Sequence, residues 1–471
     1  MGRSEPWTQS PASATTKGRG RQGAGGRARP RAPASICGVN PETPRPAIPG
    51  YRVEPLPDPE SVGEDAELAE DIRAEIRSGG PITFARFMGR ALYEPGHGYY
   101  RRDEPGPGRA GDFITAPEAH PIFGAAVGRL AAQAWEALGR PTPFTITEPG
   151  AGTGAMAAGL LAGLRDDGCP LLDHLRYRPV EVEPARLSAL RARLATDGLA
   201  HYLTTQAPGG AEEAAGPDAP GATGADAASA EAGAVLANEV LDALPVHRVI
   251  GRGTGIRELL VGLDRAGAFT FVEAEPTTPA LAARLEAEGI TLADGQVTEV
   301  CLALDTWLAG ATARLGRGIV VLVDYAAEPA ALHGPARPTG TLRAFARHAV
   351  GADPFRHVGR QDLTATVDLA AVRAAAAHVG LAPLGETTAG ELLAAAGDDL
   401  PGRYLHRPGV TLQDALALRS ALVRLLDPRG LGGYRVLAFG RGMPPGARLD
   451  ALAPLRRGRP AESPRPETGR T

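Results

Sequence analysis

The chain has 471 residues, 43% of them hydrophobic, and a formal net charge of −4; it is long enough for a large domain with insertions or for two domains, and its near-balanced charge argues against a general nucleic-acid binder. No apolar run reaches the length of a membrane span, and the first residues lack a signal-peptide core, so no membrane insertion is expected. Three scattered cysteines, Cys37, Cys169 and Cys301, make neither a metal-spaced pair nor a disulfide framework, and point to a reduced, cytoplasmic setting without a metal.

Residues 1–60 are rich in Gly, Pro, Ser and Arg without apolar periodicity, and read as a disordered basic tail. Pro and Gly there oppose the amphipathic helix that organelle targeting uses. Order is expected from about Glu64. Leu68, Ile72 and Ile76 recur at helical spacing until Gly79-Gly80-Pro81, and Thr83 is placed to cap a second helix carrying Phe84, Phe87, Met88 and Leu92. Gly111-Asp112-Phe113-Ile114-Thr115-Ala116-Pro117-Glu118 precedes a helix over about 121–139. That loop reads equally as a capping arrangement and as a wall over a ligand.

Phe144 to Pro149 reads as a buried strand, followed by the turn Glu148-x-Gly150-x-Gly152-x-Gly154 and an Ala- and Leu-rich helix. Strand, glycine turn and helix N-terminus together make a nucleotide-binding corner. Gly150-x-Gly152-x-x-Ala155 also fits a dinucleotide fingerprint. Glu148 would repel a pyrophosphate and suits a cationic, phosphate-free nucleoside such as S-adenosylmethionine; a glycine turn used only for packing is the third reading. A second strand over 177–182 brings Glu181 to its end, where a carboxylate can meet a ribose or simply be an exposed acid.

Residues 206–232 are low-complexity and read as a disordered insertion. Ala234 to Ala237 is a buried strand ending in Asn238-Glu239-Val240-Leu241-Asp242, the place where open α/β sheets put chemistry. Residues 248–275 alternate as hairpins; 279–288 and 297–315 read as helices; Ile319 to Val323 is a central strand ending at Asp324-Tyr325. Residues 340–368 read as mixed loop, 369–379 and 412–426 as helices, and 432–439 as the last strand, before a basic, Pro-rich tail over 443–471 expected to be disordered.

The blocks Gly80-Pro81-Ile82-Thr83, Gly98-Tyr99-Tyr100, Gly111-Asp112-Phe113-Ile114-Thr115 with Pro117-Glu118, Phe123-Gly124, the glycine turn, Asn238-Glu239 with Asp242-Ala243-Leu244-Pro245-Val246, Asp324-Tyr325, Gly340-Thr341-Leu342-Arg343 and Asp362-Leu363-Thr364-Ala365 follow one another in a family's order. In them the chain resembles the MidA-like family of S-adenosylmethionine-dependent methyltransferases, which includes a mitochondrial complex I assembly factor. Ala116, Ala119, His120 and Leu241 depart from that pattern. The resemblance implies an α/β class I methyltransferase (Rossmann-like) sheet of seven strands with helices on both faces, over residues 64–442. It also implies an N-terminal helical segment (64–140) and a hairpin and helical insertion (248–316) as an added subdomain covering the active site. The cofactor would be S-adenosyl-L-methionine, held by Gly111, Asp112, Phe113, Thr115, Glu118, Glu148, Gly150, Gly152, Gly154, Glu181 and Asn238. The acceptor implied is a protein arginine, with a complex I subunit as candidate partner.

Transfer to a guanidinium needs carboxylates to orient it and receive its proton, because its pKa exceeds about 12. Glu239 and Asp242 are the expected catalytic pair, with Asp324 and His247 as second choices. Asp242 as a turn cap and Glu239 as an anchor is the plainer reading of the same residues. A non-catalytic assembly factor that binds the cofactor and a dinucleotide oxidoreductase are the rival functions.

Overall fold

A computed structural model describes residues 62–102, 114–204, 230–347, 349–397 and 399–452. The tail expected over 1–60, most of the insertion expected over 206–232, and Gly111, Asp112 and Phe113 lie outside them.

The apolar spacing at the start folds as α1 (Ala66–Gly79), capped by the Asp65 carboxylate, which accepts from Leu68 N at 3.1 Å. In α2 (Phe84–Tyr93) Thr83 caps as expected, accepting from Arg86 N at 3.0 Å. After the short α3 (Ala116–Ala119) comes α4 (Ile122–Ala137). Next are β1 (Phe144–Pro149), α5 (Ala155–Asp166), β2 (Leu175–Val180), α6 (Pro184–Thr196) and β3 (Glu231–Asn238). A meander follows: β4 (His247–Arg252), β5 (Gly255–Leu263), β6 (Phe269–Ala274), α7 (Ala280–Ala287) and β7 (Val297–Val300). Then α8 (Leu304–Thr312), β8 (Leu315–Asp324), β9 (Ala326–Ala327), α9 (Pro329–Leu332), β10 (Arg343–Ala346), β11 (Ala349–Gly351), β12 (Asp362–Thr364) and β13 (Val367–Asp368). The chain ends with α10 (Leu369–His378), β14 (Ala382–Thr388), α11 (Ala389–Ala395), α12 (Asp399–Leu405), α13 (Leu412–Leu425) and β15 (Arg435–Arg441).

The main sheet has the order β14-β15-β8-β3-β1-β2. Strands β8, β3, β1 and β2 run parallel, and β15 and β14 join antiparallel. Side chains of the central strands alternate between two cores. Ala234, Leu236, Ile319, Val321, Val436 and Ala438 face α4, α5, α11 and α13. Val235, Ala237, Val320, Leu322, Leu437 and Phe439 face α8 and α10. Helices α4 and α5 meet backbone to backbone: a Cβ on Gly124 would lie 2.8 Å from Leu160 N, and one on Gly159 2.7 Å from Pro121 O. Only glycine permits that approach.

Five expectations are corrected. The main sheet has six strands among the described residues, not seven. Beyond β2 the chain makes only a single bridge, Leu203 to Tyr177, before leaving the described residues. Residues 297–315 are not one helix: Val297 to Val300 is β7, paired antiparallel with β4, and Leu315 opens β8. Four residues of alternation are too short a signal beside the Leu304/Leu308 helical spacing that follows. Within 340–368, β10, β11 and β12 form a small antiparallel sheet. Finally, residues 443–452 are packed: Leu449, Ala451 and Leu452 are buried on the main core, although Pro444, Pro445 and Arg448 precede them and the chain beyond is basic and Pro-rich. The insertion is also shorter at its end, since Glu231 and Ala232 already pair with β8.

Candidate active site

The chain crosses from β2 to β3 on either side of β1, so the carboxyl ends of β1 and β3 form the switch point at which a doubly wound sheet opens a crevice. The glycine turn sits there. Gly150, Gly152 and Gly154 all have left-handed backbones, at φ +67°, +52° and +82°. A Cβ on Gly150 would strike Val240 at 2.7 Å, and one on Gly154 would strike Leu190 at 2.7 Å; one on Gly152 would meet nothing within 4 Å. The outer two glycines therefore serve packing, and Gly152 faces open space.

Glu181, beyond the end of β2, reaches this turn. Its Oε2 accepts from Gly152 N at 2.8 Å, and its Oε1 accepts from Val182 N at 2.8 Å. Its side chain is 5% exposed, with Arg186 at 3.9 Å. Glu118 also comes to the turn: its Oε1 accepts from the Thr153 hydroxyl at 3.0 Å and from Arg193 at 3.1 Å. Thr115 precedes α3 and makes no side-chain cap. Glu148 behaves differently. It is buried, its Oε2 accepting from the Tyr177 hydroxyl at 2.6 Å, and burial pushes its pKa up to about 8.

The second group is a cluster of carboxylates at the ends of β3 and β8. Glu239 has a left-handed backbone at φ +53°, uncommon for a residue other than glycine. Its N–H extends the ladder by donating to Val323 O at 2.8 Å. Its Oε1 accepts from Ala116 N at 3.2 Å and from the Asn238 amide at 2.9 Å, so α3 is tied to the end of β3. The Asn238 Oδ1 is buried and accepts no hydrogen bond. Asp324 Oδ2 accepts from the N–H groups of Leu241 and Asp242, at 2.9 and 3.3 Å, and so holds the turn that carries Asp242.

Burial raises all three acids, and neighbouring carboxylates raise Glu239 and Asp324 further. Burial and then the Asp242 charge push Glu239 up to about 8. Burial pushes Asp242 up to about 6, checked by the nearby Tyr325 hydroxyl. Asp324 is raised well above the ordinary range by burial, Asp242 and Glu239. The Tyr325 hydroxyl is itself buried without a hydrogen bond. Among the described residues no Lys, Arg or His pairs with any of the three acids. Such a nest of buried carboxylates favours a cationic guest.

Tyrosines surround it. Tyr93 donates to Ala243 O at 3.0 Å and stacks on Tyr100 at 5.5 Å, Tyr100 donates to Asp362 at 3.0 Å, and Tyr325 leans on Tyr434 at 5.6 Å. The sequence offered Gly98-Tyr99-Tyr100 and Asp324-Tyr325 as motif blocks, which was the available signal, but Tyr93 and Tyr434 carried none. His247, a second choice, is removed from this group. Its Nδ1 pairs with Glu258 Oε1 at 2.7 Å, and Thr277 holds the other Glu258 oxygen.

The residues thus fit an S-adenosyl nucleoside: a glycine with open space before it, a carboxylate at the end of β2, and acids opposite. The comparisons agree. A family of S-adenosyl-L-methionine-dependent methyltransferases matches residues 126–387. A Burkholderia thailandensis protein crystallised with S-adenosyl-homocysteine is 34% identical, with a TM-score of 0.72 over 85% of this chain and 97% of that one. The mitochondrial protein arginine methyltransferase NDUFAF7 homologue of Drosophila melanogaster is 32% identical over 319 residues, 65% of this chain and 69% of that protein. The human mitochondrial protein arginine methyltransferase NDUFAF7 is 30% identical over 312 residues, 64% of this chain and 66% of that protein. The two NDUFAF7 relatives are mitochondrial, which overturns the cytoplasmic setting expected from the scattered cysteines. Among the described residues no helix is long and apolar enough to cross a membrane.

Proposed function

The chain belongs to this family of S-adenosylmethionine-dependent methyltransferases, and from that premise we propose that its acceptor is a protein arginine, with a respiratory complex I subunit as the candidate substrate. The observation that carries this reading is the unpaired carboxylate nest of Glu239, Asp242 and Asp324 beside the nucleotide turn. The relatives' names as arginine methyltransferases support it.

When bound, S-adenosylmethionine supplies an electrophilic methyl on a sulfonium. Gly152 leaves room for it, Glu181 stands where the ribose hydroxyls can donate to it, and Asn238 lines the approach. Of the residues expected to bind cofactor, Glu118 acts by fastening α3 to the turn.

Glu239 and Asp242 orient the guanidinium and concentrate its electron density on one nitrogen. A guanidinium holds its proton at neutral pH, so a carboxylate must take that proton as the nitrogen becomes a nucleophile. Acids raised to about 8 and about 6 are better bases than ordinary carboxylates. Asp324 holds the Leu241–Asp242 backbone in place. The helices α1 and α2 and the sheet β6-β5-β4-β7 form the wall on the acceptor side, joined to the turn by the Tyr93–Ala243 bond.

The test separates binding from transfer. Cofactor affinity is measured by calorimetry for Glu239→Gln and Asp242→Asn, and methyl transfer by tritium incorporation into an arginine-bearing protein from a deletion strain. Transfer that survives both changes would overturn the catalytic assignment. Label that appears on a residue other than arginine would overturn the substrate class.

A further inference from the structure

A second cluster lies away from the nucleotide turn. Glu288 follows the last turn of α7, His333 follows α9, and Asp368 caps the N-terminus of α10. One ligand atom from each lies within 4.8 Å of the others. All three line a cavity of about 30 Å³, with Leu241, Cys301 and Leu304 among its other walls. That is room for an ion and a water.

The geometry points beyond an ordinary ion pair in three respects. The Glu288 side chain is 6% exposed, yet neither of its oxygens accepts a hydrogen bond; the Arg284 guanidinium, which also lines the cavity, stands 3.9 Å from Oε1, outside hydrogen-bond reach. It also stands at the C-terminal end of a helix, where the macrodipole disfavours an anion. Second, His333 is held as metal-binding imidazoles are held. Its Nδ1 lies 2.6 Å from the Thr298 hydroxyl, and its carbonyl accepts from the Gln296 amide at 2.7 Å. With Nδ1 donating to Thr298, the Nε2 lone pair faces the two carboxylates. Third, the spacing suits a metal. His333 Nε2 is 3.1 Å from Asp368 Oδ2 and 3.6 Å from Glu288 Oε2. A tetrahedral zinc with bonds of about 2.0–2.1 Å sets its ligands roughly 3.3 Å apart.

We propose that Glu288, His333 and Asp368 bind a first-row divalent cation of the zinc type through one imidazole nitrogen and one oxygen from each carboxylate. One imidazole and two carboxylates suit zinc or cobalt better than magnesium or calcium, which favour all-oxygen shells. The ion fastens three separate elements, the ends of α7 and α9 and the start of α10. Val367, beside Asp368, pairs in β13 with β9, directly after Asp324 and Tyr325. The site therefore adjoins the backbone that carries the carboxylate nest, through Leu241, which lines the cavity and donates its N–H to Asp324.

The probe is Co2+, added to the full chain after chelator treatment and dialysis. The expected result is visible d–d absorption that saturates at one equivalent and is abolished by Zn2+. Glu288→Gln and Asp368→Asn should weaken binding about tenfold or more. His378→Gln, at an exposed histidine, should not change it. No saturable absorption, or saturation unaffected by both acid variants, overturns the proposal and leaves a protonated His333 between two acids. If the variants do not fold, zinc-edge X-ray absorption of the wild-type protein decides. A shell of one imidazole and oxygens supports the site; a sulfur neighbour, or no retained zinc, overturns it.

Discussion

The two buried acid clusters of this protein differ in one chemical respect. The cluster at the ends of β3 and β8 is made of carboxylates and tyrosine hydroxyls, with no basic side chain paired to its acids among the described residues. The cluster between α7, α9 and α10 contains His333, which pairs with both of its acids. Acids without a resident cation are disfavoured in their charged form until a cation arrives, which suits groups that meet a sulfonium and a guanidinium in turn. Acids with a resident imidazole suit a permanent occupant. The difference separates a place of turnover from a place of bracing.

The largest effect is expected at the first cluster. The double variant Glu239→Gln, Asp242→Asn should lose about 10²–10⁴-fold in methyl transfer, read as tritium incorporation at saturating cofactor, while the fold persists. A loss confined to cofactor affinity would make the acids anchors. Gly152→Val comes next. Its side chain would enter the open space before the turn from a left-handed backbone that costs a β-branched residue about 1–2 kcal/mol. Cofactor affinity should fall at least about tenfold by calorimetry, the larger part of it from occlusion.

Tyr177→Phe removes the donor of a third buried acid. Glu148 would then be buried without that hydrogen bond, and thermal or urea unfolding should show a loss of about 1–3 kcal/mol. The smallest effect is with pH. In the free protein Glu148 and Glu239 are raised from 4.5 to about 8, so between those values the native state holds protons that the unfolded chain has released. Their contribution to stability is therefore full below about 4.5 and is lost as pH rises through about 8. A cationic guest lowers both pKa values, so cofactor affinity should rise a few-fold from pH 6 to 8 and level off above. Affinity that falls with pH would place the cationic guest away from these acids.

Much of this was legible in the sequence. The strand at 144–149, the glycine turn and the strand ends at Glu181, Asn238 and Asp324 follow from apolar runs closed by Gly, Pro or acid, signals that are local in the chain. What was not legible depends on partners far away in sequence. Val297 to Val300 becomes a strand because β4 is there to pair with it. Leu449, Ala451 and Leu452 are ordered because the main core receives them, against their Pro-rich surroundings. Glu148 was read from its position in the motif, but the Tyr177 hydroxyl that donates to it comes from the neighbouring strand and carried no local signal. His247 was close in sequence to Asp242, and was drawn away by Glu258 on the next strand.

The meeting of α4 and α5 has a reach beyond packing. The bend at Gly154 opens directly into α5, so that helix sets where the bend stands, and α4 holds α5 through contacts at Gly124 and Gly159 too tight to admit even one methyl group. Any bulk placed at Gly124 must shift the second helix, and the bend travels with it. A lesion buried on the far side of a helix pair would then register at the bench as poor nucleoside uptake in a protein that still melts cooperatively.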